Sequence, residues 1–297
     1  MMNPGVLPGD GMVMDDAEFD RWVRLLEQRT GVVVPHSRRQ FLETNLRLRL
    51  AELKLVSLER YHDEWLVGPN GAREWAVLVD RLTVHETRFF RHTPSLALLR
   101  EHILPAYMAR TGGRQEFHAW SVGCATGEEA FSLAMVIDDY ARRSRPRFRF
   151  AVTGSDVSGP ALKVAEAAVY SVEREREIPA GYRDYSRTHG VDEFVIDAAL
   201  RARTRFAQLN LLDIERQPMS GLELIYCQNV LIYFPRARRE AFLDQLVNCL
   251  RPGGCLIIGP GEVTQWRNPL LERIDSRRAL AFRRRGDAGP IAEDSST

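Results

Sequence analysis

WSVGCATGEEAFSLAM, Trp120 to Met135, carries two glycines four residues apart, a pair of glutamates and then an apolar run with helical spacing. It follows the strand-like EFHAWSVG (116–123), so it reads as a first β-strand, a glycine loop and the start of a helix. In open α/β sheets ligands bind beyond the carboxyl ends of the strands, where such a loop meets a helix N-terminus. The Gly123-x-x-x-Gly127 spacing departs from the dinucleotide fingerprint, and a pyrophosphate would face Glu128 and Glu129 at close range. A ligand bearing ammonium and sulfonium charge, with a ribose and adenine but no phosphate, suits this loop. S-adenosyl-L-methionine has that chemistry. Glu128, next to the glycine, is the expected grip on its amino acid end, and Glu129 is read as complementing the positive end of the helix.

Outward from this loop, strands and helices alternate. FRFAVTGSD (148–156), RFAQLN (205–210), LELIYCQNV (222–230) and CLIIG (255–259) read as strands, and SGPALKVAEAAV (158–169) and PRARREAFLDQLVNCL (235–250) as helices. Pro252-Gly253-Gly254 reads as a turn and LERIDSRRALAFRRR (271–285) as a late hairpin. Between Tyr170 and Ala202 no period stands out, which suggests an insertion on the sheet. Toward the N-terminus the pattern is helical: DDAEFDRWVRLLEQRTG (15–31) has an Asp cap and a Gly stop, and PHSRRQFLETNLRLRLAELKL (35–55) carries an apolar stripe with a basic outer side. SLERYHDEWLVG (57–68) and GAREWAVLVDRLTV (71–84) complete a four-helix module.

Composition narrows the function. Lys+Arg 41 against Asp+Glu 40 gives a formal charge of +1, so no global positive field draws the chain to nucleic acid or anionic lipid. The opening MMNPGVLPGDGM has no signal-peptide pattern, and no run is apolar enough to span a bilayer, so a cytoplasmic protein without membrane insertion is expected. Cys124, Cys227, Cys249 and Cys255 are scattered and read as reduced, buried thiols. No metal is expected: His85 has no second ligand at suitable spacing. Asp156, closing the second strand, is a candidate for both ribose hydroxyls, with helix capping as the alternative.

ETRFFRH (86–92), SVGCATGEEAFS (121–132), GSDVSGPALKVAEAAVYS (154–171), QLNLLD (208–213) and CQNVLIYFP (227–235) stand in register, and with them the chain resembles the CheR family of chemotaxis receptor methyltransferases from about Phe19 to Phe282. The resemblance implies an α/β protein: an N-terminal helical domain (15–90) of receptor-binding type, and a Rossmann-like S-adenosylmethionine-dependent methyltransferase domain (91–285). A small antiparallel β subdomain is inserted in the latter at about 171–205, and a disordered tail (286–297) follows. It implies protein-glutamate O-methyltransferase activity on methyl-accepting chemotaxis receptors, leaving S-adenosyl-L-homocysteine. His85, Thr87 and Arg91 would then reach the cofactor, Arg91 near the reacting centre. Gly123, Glu128 and Asp156 would hold its methionine and ribose parts, Asn210 and Leu211 would flank the adenine, Asn229 and Val230 would line the pocket, and Tyr233 would face the methyl. Catalysis is expected from Arg91 and Tyr233. The chain departs from the family at His85 (usually Asn), Gln228 (often Arg) and Gly259–Glu262, GPGE. These departures keep alive a second reading, a catalytically weak cofactor-binding scaffold or sensor of the same fold.

The family's receptor contact is attributed to a basic helix, matched here by Arg38, Arg39, Arg47 and Arg49. Some relatives also bind a receptor-tail pentapeptide through a glycine-containing loop of the insert; YRDYSRTHGVDEFVIDAAL (182–200) has only Gly190, so no such tethering is expected. A nucleic-acid methyltransferase is disfavoured by the near-zero charge and the absence of an Asn/Asp-Pro-Pro-Tyr sequence.

Overall fold

A computed structural model describes residues 14–83, 86–216, 219–263, 265–276 and 278–286. His85 and the tail from 287 onward lie outside the described residues.

The glycine loop leaves β1 (Phe117–Val122), a strand buried on both faces at the centre of a seven-stranded sheet. Its neighbours are β2 (Phe150–Asp156) on one side and β7 (Leu222–Cys227) on the other. With β3 (Val169–Ser171), β4 (Ser186–His189), β5 (Glu193–Ile196), β6 (Thr204–Gln208), β8 (Leu250–Ile258), β9 (Leu271–Arg273) and β10 (Leu280–Arg284), the large sheet runs β6-β2-β1-β7-β8-β10-β9. Its first five strands are parallel; β10 and β9 close it as an antiparallel hairpin. The chain builds outward from β1 through β2 to β6, then jumps back to β7. That reversal opens a crevice at the carboxyl ends of β1 and β7.

Two short passages differ from the sequence expectation. Pro252–Gly254 is no turn but an irregularity inside β8, where the register to β7 slips between Leu222 and Leu224. Glycine at φ +81° at position 253 allows the extra residues to bulge without ending the strand. The insertion is a separate three-stranded sheet, β3-β5-β4, beginning at Val169; β6, from Thr204, already belongs to the large sheet, so the insert is shorter than 171–205 at its far end. Strands of three or four residues are too short to show a period. The segment after Phe90 also folds as helix, Thr93–Leu98 passing through a π-turn, Leu99–Ile103, into Leu104–Thr111.

The N-terminal helices pack around a core of their own, with Phe19, Trp22, Leu42, Leu46, Tyr61 and Leu78. Asp15 caps the first helix, Asp16–Thr30, by accepting from the Glu18 amide at 2.8 Å, and Gly31 ends it at φ +77°. The helix Arg39–Leu53 does not present one basic face. Arg39 is tied to Asp16, to Glu43 at 2.9 Å and to the Met14 carbonyl. Arg49 turns inward and forks onto Glu74 at 2.7 and 2.6 Å, while Tyr61 donates to the same carboxylate at 2.6 Å. Only Arg38, at the turn before this helix, and Arg47 remain outside such clusters. Helical spacing could not reveal this, because the partner Glu74 sits on another helix, Gly71–Leu82.

This helical unit docks on the sheet domain beside the crevice. The Val33 amide donates to the Tyr233 carbonyl at 3.0 Å, Asn210 Nδ2 to the Arg29 carbonyl at 2.9 Å, and Ser158 Oγ to Asp80.

Glu74 is 3 % exposed, so Arg49 is its principal charge compensation. Arg49→Ala should cost about 3 kcal/mol, the typical penalty for orphaning a buried carboxylate, whereas the exposed Arg47→Ala should stay within about 0.5 kcal/mol. Urea unfolding of both variants gives the comparison, and equal midpoints would contradict it.

Candidate functional site

The Gly123–Gly127 loop turns sharply because Gly123 (φ +68°) and Gly127 (φ +95°) take left-handed backbone. Close approach reinforces the requirement: a Cβ on Gly123 would sit 2.3 Å from Val230 Cγ2. Asp156, at the end of β2, fixes the loop from the side, one carboxylate oxygen accepting from the Ala125 amide and the other from the Ser158 amide, each at 2.9 Å. The helix that follows, Gly159–Ala167, is capped by Ser158, whose hydroxyl accepts from the Ala161 amide at 3.0 Å. Asp156 is therefore not its cap, and the remaining lone pairs of its carboxylate face a cavity.

That cavity, about 280 Å³, occupies the crevice at the carboxyl ends of β1 and β7. It brings together Thr87 and Arg91 from the turn joining the two halves of the chain, Gly123 and Asp156 from the first two strand ends, Asn210 and Leu211 after β6, and Asn229, Val230 and Tyr233 after β7. Thr30, Val32 and Arg38 of the helical unit form another wall. Arg38, expected on a receptor-facing surface, thus stands in the cavity wall with Tyr233 and Arg91.

Of the two glutamates, Glu129 and not Glu128 is the one that lines the cavity. Glu128 is 1 % exposed and does not line the cavity; it is ion-paired to Arg174 and accepts from Thr126 Oγ1 at 2.6 Å. Glu129 does line it, with Oε1 accepting from Ser121 Oγ at 2.7 Å. Adjacent helical residues point about 100° apart, so only one of the pair can face the ligand, and Arg174 decides which. Desolvation pushes the Glu129 carboxyl up to about 8; the Ser121 hydrogen bond and Arg91 pull the other way, and Glu262 adds to the rise. At neutral pH it is predominantly protonated, and a cation delivered beside it would ionise it.

Two of the positions at which the chain departs from the family are held in buried hydrogen-bond networks, and Gln228 also lines the cavity. Gln228 is buried and saturated: Oε1 accepts from the Tyr226 hydroxyl at 3.0 Å and Nε2 donates to Ser95 Oγ at 3.0 Å. Glu262 of GPGE, 3 % exposed, accepts from the Leu231 amide at 3.1 Å and the Gly259 amide at 2.9 Å, pinning the Asn229–Tyr233 loop from beneath. Asn229 itself holds φ +61°, a left-handed conformation in which Asn is the most tolerated residue after Gly. The Tyr233 hydroxyl is raised by burial, which keeps it a proton-bearing donor, and Arg91 is steadied by donating to the Glu86 carbonyl at 2.6 Å.

Sequence reasoning singled out neither Glu129 nor Glu262 as a site residue. The GEE pair signalled an acid but not which one, and Glu262 shows its part in the cavity loop only through the amide of Leu231, distant in sequence.

Among the described residues no helix is long and apolar enough to cross a membrane. Residues 85–280 match the family model described as CheR methyltransferase, SAM binding domain, and residues 17–83 match CheR methyltransferase, all-alpha domain. The chain is 29% identical over 251 residues to chemotaxis protein methyltransferase 1 of Pseudomonas aeruginosa, covering 83% of this chain and 90% of that one. It is 31% identical over 253 residues to the chemotaxis protein methyltransferase of Klebsiella aerogenes, covering 84% of each. A third relative, described as the probable biofilm formation methyltransferase WspC of Pseudomonas aeruginosa, is 29% identical over 279 residues, 91% of this chain and 62% of that one. With both family models matched in order along it, the chain belongs to the CheR methyltransferase family, whose members are S-adenosylmethionine-dependent methyltransferases.

Proposed function

We propose that the protein transfers a methyl group from S-adenosyl-L-methionine to glutamate side chains of a methyl-accepting receptor in the cytoplasm, forming glutamate methyl esters. The observation that carries this reading is one cavity lined both by two acids, Glu129 and Asp156, and by the donors Arg91 and Tyr233. The residues fit the donor. Glu129 suits its ammonium, Asp156 has lone pairs left for ribose hydroxyls, and Leu211 with Val230 supplies apolar surface for the adenine. Metal ligation is not called on at any step.

Bound S-adenosylmethionine supplies an electrophilic methyl on a sulfonium. A glutamate acceptor is already ionised near neutral pH, its ordinary pKa being about 4.3, so this chain needs to provide no general base. Charge is neutralised as the new C–O bond forms; a site that gripped the free carboxylate too strongly would slow the reaction. Alignment is the larger contribution. Arg91, half-buried and anchored on Glu86, presents the rest of its guanidinium fork to a carboxylate. The protonated Tyr233 hydroxyl gives one more directional contact beside it. The partner face on this reading is narrower than a whole basic helix. Arg38 at the cavity mouth and the exposed Arg47 with Leu48 are its accessible members. In the insert, the β4–β5 turn has Gly190 alone, and the proposal includes no tethering of a receptor-tail pentapeptide.

Incubation with labelled S-adenosylmethionine and receptor-bearing membranes from the source organism should place base-labile label on a receptor-sized band. Arg91→Ala should lower that rate by about 100-fold or more with S-adenosylhomocysteine still bound. Donor binding by the wild type without any label transfer would overturn the transferase reading in favour of a scaffold.

Glu129 gives a second test. Its carboxyl titrates near 8, above its unfolded value, so the acid form prevails below that pH and must release a proton when an ammonium is bound beside it. Affinity for S-adenosylhomocysteine should therefore rise on the order of tenfold between about pH 6 and 7.5, with proton release visible in calorimetry. Glu129→Gln should bind more weakly and with a flat profile. A steep pH profile surviving in that variant would remove Glu129 from the ligand.

A further inference from the structure

The turn Thr87–Arg91 carries Thr87 and Arg91, two of the cavity-lining residues of the linker, yet it has no regular secondary structure to hold it. Phe90 within it sits at φ +52°, a left-handed conformation costly for an aromatic residue, so something outside the turn must fix it. The Phe90 amide donates to Ser132 Oγ at 2.9 Å, and that hydroxyl donates to the Glu128 carbonyl at 2.6 Å. The other tethers come from the root of the inserted subdomain. Arg174 Nη1 donates to the Thr87 carbonyl at 3.0 Å and to Glu128 Oε1, and Glu177 Oε2 accepts from the Phe89 amide at 2.9 Å. Phe89 packs edge-on against Tyr170 of β3 at 5.0 Å between centroids, and the Tyr170 hydroxyl donates to the Thr126 carbonyl of the glycine loop at 2.8 Å.

We propose that Arg174 is a positioning residue for the methyl transfer, holding the Thr87–Arg91 turn in register with the glycine loop by bridging the Thr87 carbonyl to Glu128. The inference rests on the transferase reading above. It gives the insert a role in turnover that is independent of what the insert itself binds, because any displacement of its root moves the backbone from which Arg91 projects. Glu128 serves as the buried counter-charge that aims Arg174, which accounts for its absence from the cavity.

Removing Arg174 alone would leave Glu128 buried without its ion pair and confuse misfolding with mispositioning. The test is the full-length double variant Arg174→Leu with Glu128→Gln, in which the Gln keeps an acceptor for Thr126 and carries no charge. If Arg174 positions the turn, the double variant melts within about 3 °C of wild type and binds S-adenosylhomocysteine within about threefold, while kcat falls about tenfold or more and KM for S-adenosylmethionine scarcely moves. Glu177→Leu should repeat that pattern, and Glu177→Gln, which still accepts from the Phe89 amide, should restore kcat. A double variant with wild-type kcat would overturn the proposal and reduce Arg174 to a partner for Glu128. Hydrogen exchange of the Phe89 and Phe90 amides reads the same contact without turnover: protection should fall about tenfold in the double variant, and unchanged protection would equally overturn it. A wild type that transfers no methyl group would count against the transferase reading alone, with the exchange result still deciding the role of Arg174.

Discussion

The site depends on a single carboxylate that joins two loops. Asp156 accepts one amide from the glycine loop after β1 and one from the loop after β2, and so locks together the two strand ends that form one side of the crevice. Charge-assisted hydrogen bonds of this kind are among the stronger ones available to a protein. Because they occupy only some of its lone pairs, the same group can shape the cavity and face a ligand. On the opposite side Glu262 does the corresponding work for the loop after β7, accepting the Leu231 and Gly259 amides from a buried position. The crevice is thus framed by two acids that each fix backbone amides.

Electrostatics then sets the character of the cavity. Burial raises the Glu129 carboxyl, with Ser121 and Arg91 opposing the rise and Glu262 adding to it. A cation placed beside it would relieve the cost of the charge. Arg91 and Tyr233 add hydrogen-bond donors to the same lining. On the proposed reaction, an acceptor that is already an anion and a donor that is already a cation leave the protein with orientation as its main task, in keeping with the anchoring of Arg91 on the Glu86 carbonyl.

Much of this was legible before any coordinates. The alternation of strands and helices gives the sheet, and the glycine loop, Asp156, QLN and QNVLIYF give much of the cavity lining, because those residues lie at strand ends where topology brings them together, whereas ETRFFR reaches it from the turn between the two halves. What stayed hidden depends on long-range partners. Glu128 and Glu129 are indistinguishable until Arg174, from the insert, claims one of them. Arg49 looks like a surface cation until Glu74, on another helix, is found beneath it. The bulge at Pro252–Gly254 has the composition of a turn, and only pairing with β7 keeps it extended. In each instance local pattern offers two answers and a contact distant in sequence selects one.

The wall formed by Thr30, Val32 and Arg38 has a consequence for how such proteins can diversify. Gly31 lies so near Phe234 that an added Cβ would come within 2.9 Å of its ring, and two residues on, the Val33 amide is hydrogen-bonded to the Tyr233 carbonyl. The helical unit is therefore fitted to the chemistry domain at its most sensitive loop. Exchanging that unit wholesale with a relative's would also replace part of the cavity wall, so the helical unit and the shape of the chamber are inherited together and not as interchangeable parts.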